Sequence, residues 1–226
     1  MDFSFLLESY YIKLLLQGLA TTVVLALFAV ALGTILAVGI ALMRMTKFKV
    51  IRFVFGAYVE ILRGTPVVVQ LIIFYSMFHV PVILIGGSYD ISPFVPGMFT
   101  LFINSSAYMA EVIRAGINSV DKGQWEASRS LGMNYAMTFK KIIFPQAIKN
   151  ILPALGNEFV TLIKETSILM YSGVAELTYE AQMIKSETYG FMESYLVAAM
   201  LYFLLTFPTS KLMQYFERRL GKADAK

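Results

Sequence analysis

From Leu14 to Met43 the chain runs without one charged residue, bounded by Lys13 and Arg44. A segment of about 20 apolar residues crosses the hydrocarbon of a bilayer. This run exceeds that length, so it predicts a membrane span. With no water to satisfy backbone groups inside lipid, a single apolar run of this kind must be helical. The rest of the chain agrees: 58% of its 226 residues are hydrophobic and 15% charged, where soluble domains carry about a quarter charged residues. The first residues hold Asp2 and Glu8 in place of a positive n-region. The run is therefore expected to persist as a span rather than to serve as a cleaved signal.

Four more candidate spans follow. The second is Phe53 to His79, interrupted by Glu60 and Arg63. The third runs from roughly Phe94 to Ile113. The fourth, roughly Ala147 to Tyr171, contains Pro153, Glu158, Lys164 and Glu165. The fifth runs from roughly Ser194 to Leu212. Five spans place the termini on opposite sides. One set of connections carries Arg44, Lys47, Lys49, Arg52, then Arg114, Lys122, Arg129, Lys140, Lys141 and Lys149, then the basic tail. The other side has only Lys13 and Lys185. By the positive-inside rule the N-terminus is outside and the C-terminus cytoplasmic. The outer loops, about 80–93 and 173–193, carry Asp90, Glu176, Glu180, Glu187 and Glu193. The expectation is an all-α membrane protein, residues 1–226 forming one domain with a single larger cytoplasmic excursion.

Several function classes are excluded. The chain has no cysteine and one histidine, His79, which removes disulfides, thiol catalysis and a His- or Cys-built metal site. Its net charge of +4 is scattered between apolar runs, not gathered on a basic face, so nucleic acid is not expected as a partner.

The excursion spans roughly residues 117–145. Asp121 and Gln124 have capping-box spacing and predict a helix from about Lys122. Trp125 to Leu131 makes two turns, and Gly132 can take the left-handed conformation that ends them. Asn134 can cap a second short helix through Met137, Phe139, Ile142 and Ile143, with Pro145 expected to stop it. Exposed Met133, Tyr135, Met137 and Phe139 suit a partner's groove. An amphipathic loop lying on the bilayer fits the same pattern.

The residues of this loop carry a resemblance. Glu126-Ala127-Ser128, Gly132, Ile142 and Phe144-Pro145 resemble the Glu-Ala-Ala…Gly…Ile-x-Leu-Pro signature of binding-protein-dependent ABC permeases, departing from it at Ser128 and Phe144. Further matches look like the polar amino acid branch, which includes arginine, histidine and glutamine permeases. They are Glu60 to Pro66 with Gln70, Asn104 to Tyr108 with Glu111 and Arg114, Gly123-Gln124, Ser130 to Met133, Pro145 to Ile148, Leu152-Pro153, Asn157, and Lys164 to Ser167. That branch often has Asp where Glu165 stands.

The resemblance implies a multi-pass subunit of the bacterial cytoplasmic (inner) membrane, surrounded by lipid. It pairs with a second permease subunit, a homodimer being favoured. Separate ATPase subunits hold ATP and Mg, and an extracytoplasmic amino-acid-binding protein delivers substrate. No G-x-x-x-x-G-K-[ST] phosphate loop is present in the chain, so hydrolysis is expected on the partner, with no enzyme activity and no cofactor here. The implied ATPase-coupling residues are Glu126, Ala127, Ser128, Gly132, Met133, Met137 and Pro145.

Charges inside the bilayer cost several kcal/mol and default to a functional reading when they face a cavity. Glu158 falls near mid-bilayer, with Thr161 and Glu165 on its helical face and Asn157 beside it. Asn104 and Ser105 sit about halfway along the third span. Asn104, Ser105, Asn157, Glu158, Thr161, Lys164 and Glu165 are the candidate substrate-binding set. The competing reading is that the three charges only pack spans together. Glu60, Arg63 and Pro66 suggest gating or packing, with Glu60 and Arg63 spaced to pair on one helix. Buried carboxylates favour cationic amino acids, namely arginine, lysine and histidine. Glutamine or glutamate is the alternative. An ion-coupled secondary transporter is the rival class, but it would not need the excursion and would be expected to show an inverted repeat.

Overall fold

The computed structural model describes residues 3–84 and 91–221, and among them all regular structure is helical. The outer-loop turn expected around Gly86 and Gly87 lies outside the described residues. A 3-10 turn, Ser4–Leu7, leads into α1 (Ser9–Arg44), which at 1.5 Å per residue is about 54 Å long. Helices α2 (Lys49–Gly64), α3 (Val67–Leu84) and α4 (Phe94–Asn118) follow. The excursion holds α5 (Lys122–Ser130) and α6 (Tyr135–Thr138). Then come α7 (Phe144–Glu165), α8 (Leu177–Thr188) and α9 (Phe191–Gly221).

Helix α4 is the hub, packed by α1, α2, α3 and α7. The α1 side of that contact is a stripe of small buried residues, including Ala26, Ala29, Gly33, Ala37 and Ala41. Small residues let helix backbones approach where lipid offers no hydrophobic drive to associate. At Gly33 the approach is closest: a Cβ there would run into the Ser105 hydroxyl, which donates to the Ala29 carbonyl at 3.3 Å. Gly33→Leu is therefore expected to cost about 1–3 kcal/mol through overpacking. It should be read as a lower melting temperature of the purified protein in detergent, and an unchanged melting curve would count against this packing.

Among the described residues, α1 and α9 are each long and apolar enough to cross a membrane, which makes three units if α2 and α3 count as one bent span. The second span is sharply bent: α2 and α3 meet at 112°. Thr65 is extended (φ −118°, ψ 144°) because the ring of Pro66 disfavours a helical residue before it. Pro145 does not stop the helix after Asn134. A π segment, Phe139–Ile143, in which the Phe144 N–H donates to the Phe139 carbonyl, carries the chain straight into α7. Pro145 then follows directly in the first turn of α7, so the change of hydrogen-bond register falls where the N–H is missing. Finally, residues 173–193 are not simply a loop. They contain α8, which packs against α1 and α9 and buries Glu176 and Glu180. Glu176 caps α8 by accepting from the Tyr179 N–H at 2.8 Å, and it accepts from the Tyr202 hydroxyl at 2.6 Å.

Candidate functional site

The excursion is built from two capped turns and one left-handed residue. Asp121 accepts from the Gly123 N–H at 2.6 Å and opens α5, and Asn134 accepts from the Met137 N–H at 2.9 Å and opens α6. Gly132 has φ +81°, and it is fully open, with nothing within 4 Å of where a Cβ would stand. Its role is backbone conformation alone. Ser128 is buried and donates to the Thr138 hydroxyl at 3.2 Å, clamping α5 onto α6. Trp125 stacks on Tyr135 with ring centroids 4.8 Å apart. Glu126, Ala127, Leu131, Tyr135 and Met137 are exposed on the resulting knob, while Met133 and Phe139 are half-buried. Leu131, 83% exposed at its tip, is the apolar residue that the sequence reading did not single out. A rigid projection with an apolar tip has the form of an element that inserts into another subunit.

The break between α2 and α3 is tied to α4 by a buried amide network. The Gln70 side-chain amide donates to the Leu62 carbonyl at 2.8 Å and to the Thr65 hydroxyl at 2.8 Å, and Asn104 donates to the Gln70 carbonyl oxygen at 2.9 Å. Asn104 and Ser105 are both buried. In this structure they join α4 to the broken span and to α1, and are not gathered with the polar residues of α7. Pro66 is exposed at the bend, as are Glu60 and Arg63. Arg63 lies over the Tyr108 ring, 5.4 Å from its centroid, in place of the expected pairing with Glu60. Near the end of α1, Glu111 instead accepts from Arg44 at 2.5 Å and from Arg114, with Glu60 close enough to act on Arg114. This clamp joins α1 to α4 just before the excursion.

Along α7, Asn157, Thr161 and Lys164 follow one another at i, i+4 and i+7 and share a face. Gln146 and Asn150 continue that face toward the excursion. Asn150, Asn157 and Lys164 are exposed and Thr161 is half-buried, so α7 offers a polar strip on an otherwise apolar bundle. Glu158 and Glu165 are half-buried beside it, one above the other at i and i+7, about 10 Å apart along the axis. Among the described residues, the side chains of Glu158, Lys164 and Glu165 are in no ion pair or hydrogen bond. They do not stitch α7 to another helix of the same chain. Among the described residues no three His, Cys, Asp or Glu side chains form a group able to hold a metal.

Comparisons with known proteins bear on this arrangement. The family model described as the binding-protein-dependent transport system inner membrane component matches residues 29–222. The putative glutamine transport system permease protein GlnP of Rickettsia typhi is 38% identical, over 95% of this chain and 97% of its own length. The arginine transport system permease protein ArtQ of Bacillus subtilis is 35% identical, over 94% of this chain and 95% of its own. A solved structure of an amino acid ABC transporter with histidines is 46% identical with a TM-score of 0.88, covering 97% of this chain and 100% of that one. The fold also matches a chain of the MetNI methionine ABC transporter, at 16% identity and a TM-score of 0.74. With the match running over most of its length, from mid-α1 to the end of α9, the chain belongs to the binding-protein-dependent transport system inner membrane components.

Proposed function

We propose that this chain forms half of the translocation pathway of an ATP-driven amino acid importer, working as a homodimer on two ATPase subunits. The observation that carries the reading is the capped knob at Gly132 joined directly to α7, which exposes Asn157 and Lys164 beside the half-buried Glu158 and Glu165. Movement of a partner gripping the knob would pass along α7 through the continuous helix of residues 135–165. ATP and Mg belong to the ATPase, and an extracytoplasmic binding protein supplies the substrate. The chain crosses the bacterial inner membrane five times, α2 and α3 making one broken span, with its N-terminus outside. In support, Arg44, Lys49, Arg52, Arg114, Lys149, Arg218 and Arg219 stand at the helix ends nearest the excursion.

Asn157, Glu158, Thr161, Lys164 and Glu165 line the path, and Asn104 and Ser105 shape it by holding the broken span and α1. Cationic amino acids are the favoured substrates, because two half-buried carboxylates in no ion pair among the described residues are best satisfied by a positive group. Glutamine is the second reading, favoured by the names of several relatives. The test is to purify the chain with its ATPase and binding protein in proteoliposomes and measure ATP-dependent uptake of labelled arginine, histidine and glutamine. ATP-independent uptake, or none of any amino acid, refutes the proposal. Orientation is checked separately. Ser186→Cys should react with an impermeant thiol reagent from outside the cell and Ala136→Cys only after permeabilisation. The chain has no native cysteine to interfere, and the reverse labelling pattern would invert the topology.

A further inference from the structure

Arg63 is a cation inside the second apolar segment, exposed and in no ion pair among the described residues. Glu60, one turn back on the same helix, leaves it free, and its guanidinium lies over the Tyr108 ring. Intramembrane charges of this kind are costly and mark functional sites by default.

Face and depth connect Arg63 to α7. The Asn150 amide donates to the Ser119 hydroxyl at 2.9 Å, and a Cβ on Gly116 would meet Ile151, which fixes the level of α4 against α7. Counting back from Ser119, Tyr108 is about three helical turns up α4 and on nearly the same face. Counting forward from Asn150, Thr161 is the same distance up α7 on its polar strip. Tyr108 and Thr161 therefore stand at one depth, each half-buried on its own helix. Glu158 and Lys164 lie within about 5 Å of that depth, one to either side.

Building on the amino acid reading, we propose that Arg63, held flat on Tyr108, receives the α-carboxylate of the amino acid in transit. Every amino acid carries this group whatever its side chain, and a guanidinium matches a carboxylate with two parallel hydrogen bonds. An aromatic face under the guanidinium limits its freedom before the ligand arrives. The carboxylates of α7 then meet the amino group or a cationic side chain. Lys164 is a further cation in no ion pair among the described residues, but a flexible ammonium is a point charge and does not set the orientation of a planar carboxylate. The arrangement divides recognition: Arg63 reads what all amino acids share, and α7 reads what differs.

The experiment uses the permease purified with its ATPase, without the binding protein, titrated with arginine, glutamine and the methyl ester of each. Arg63→Gln is expected to weaken binding of both free amino acids about tenfold, the loss of one charge-assisted contact, and to leave the esters unchanged. Arg63→Lys should recover part of the loss. Equal weakening of free acids and esters, or unchanged binding of the free acids, overturns the assignment. If Arg63→Gln fails to assemble with the ATPase, the same comparison of acid and ester in Arg63→Lys decides it. Should the wild-type complex bind neither arginine nor glutamine, the amino acid reading itself fails and the role of Arg63 falls with it. Wild-type binding with an indifferent Arg63→Gln sinks only the role of Arg63.

Discussion

Glu158→Gln is expected to lower uptake of arginine and histidine about a hundredfold while lowering glutamine uptake by less than about fivefold. The substitution keeps the shape of the side chain and removes its charge. Glu158 is half-buried with no ion pair among the described residues, so its charge is uncompensated until a cation arrives. Removing one partner of a desolvated ion pair costs about 3–5 kcal/mol, and 1.4 kcal/mol is a factor of ten. Solvent in the pathway screens part of that, which leaves about 3 kcal/mol. Glutamine has no side-chain charge and loses only a weaker contact with its amino group. The measurement is initial uptake of each labelled amino acid in proteoliposomes with saturating binding protein. Equal uptake of arginine by wild type and Glu158→Gln would remove Glu158 from the substrate path. An equal fall for all substrates would make it a structural residue.

Gly132→Val is expected to lower transport and the ATPase stimulation caused by loaded binding protein about thirtyfold, with the chain still inserted and folded. At φ +81° a residue with a side chain pays about 1–2 kcal/mol in the left-handed region, and a β-branched one stands at the upper end. A factor of about thirty corresponds to 2 kcal/mol. The site is open, so no steric clash adds to this and no core is disturbed. What changes is the angle between α5 and α6, and hence where Leu131 and Tyr135 point. Gly132→Asn separates conformation from chemistry, because Asn tolerates this region and should keep much of the activity. Normal stimulation in Gly132→Val would mean that the partner does not read this turn.

Much of this was legible along the chain. The run from Leu14 to Met43 dictated a helix in lipid because hydrocarbon leaves the backbone no other partner. The excursion was legible in detail, since Asp121, Gly132 and Asn134 act on backbone groups two or three residues away and need no tertiary context. The bend at Thr65-Pro66 is likewise a local effect, although its angle of 112° is not.

The failures have a common origin. The acidic residues between Gly173 and Glu193 read as a solvated loop, yet Glu176 and Glu180 are buried because Tyr202, the α8 backbone and the close approach at Gly18 form a site for them. Pro145 read as a stop, because the π turn that absorbs it is a choice of hydrogen-bond register. Asn104 and Ser105 are a different case: they share a depth with the charges of α7, and their hydrogen bonds run to Gln70 and Ala29. Depth follows from counting residues at a fixed rise, whereas azimuth depends on which helices pack against which face. Thus the sequence by itself determined the helices in lipid, the capped knob and the roster of intramembrane charges, all set by local or solvent physics. Only the tertiary structure decided which polar groups satisfy one another inside the bundle. By that means it left Arg63 on the Tyr108 ring, and left it and the α7 carboxylates in no ion pair among the described residues.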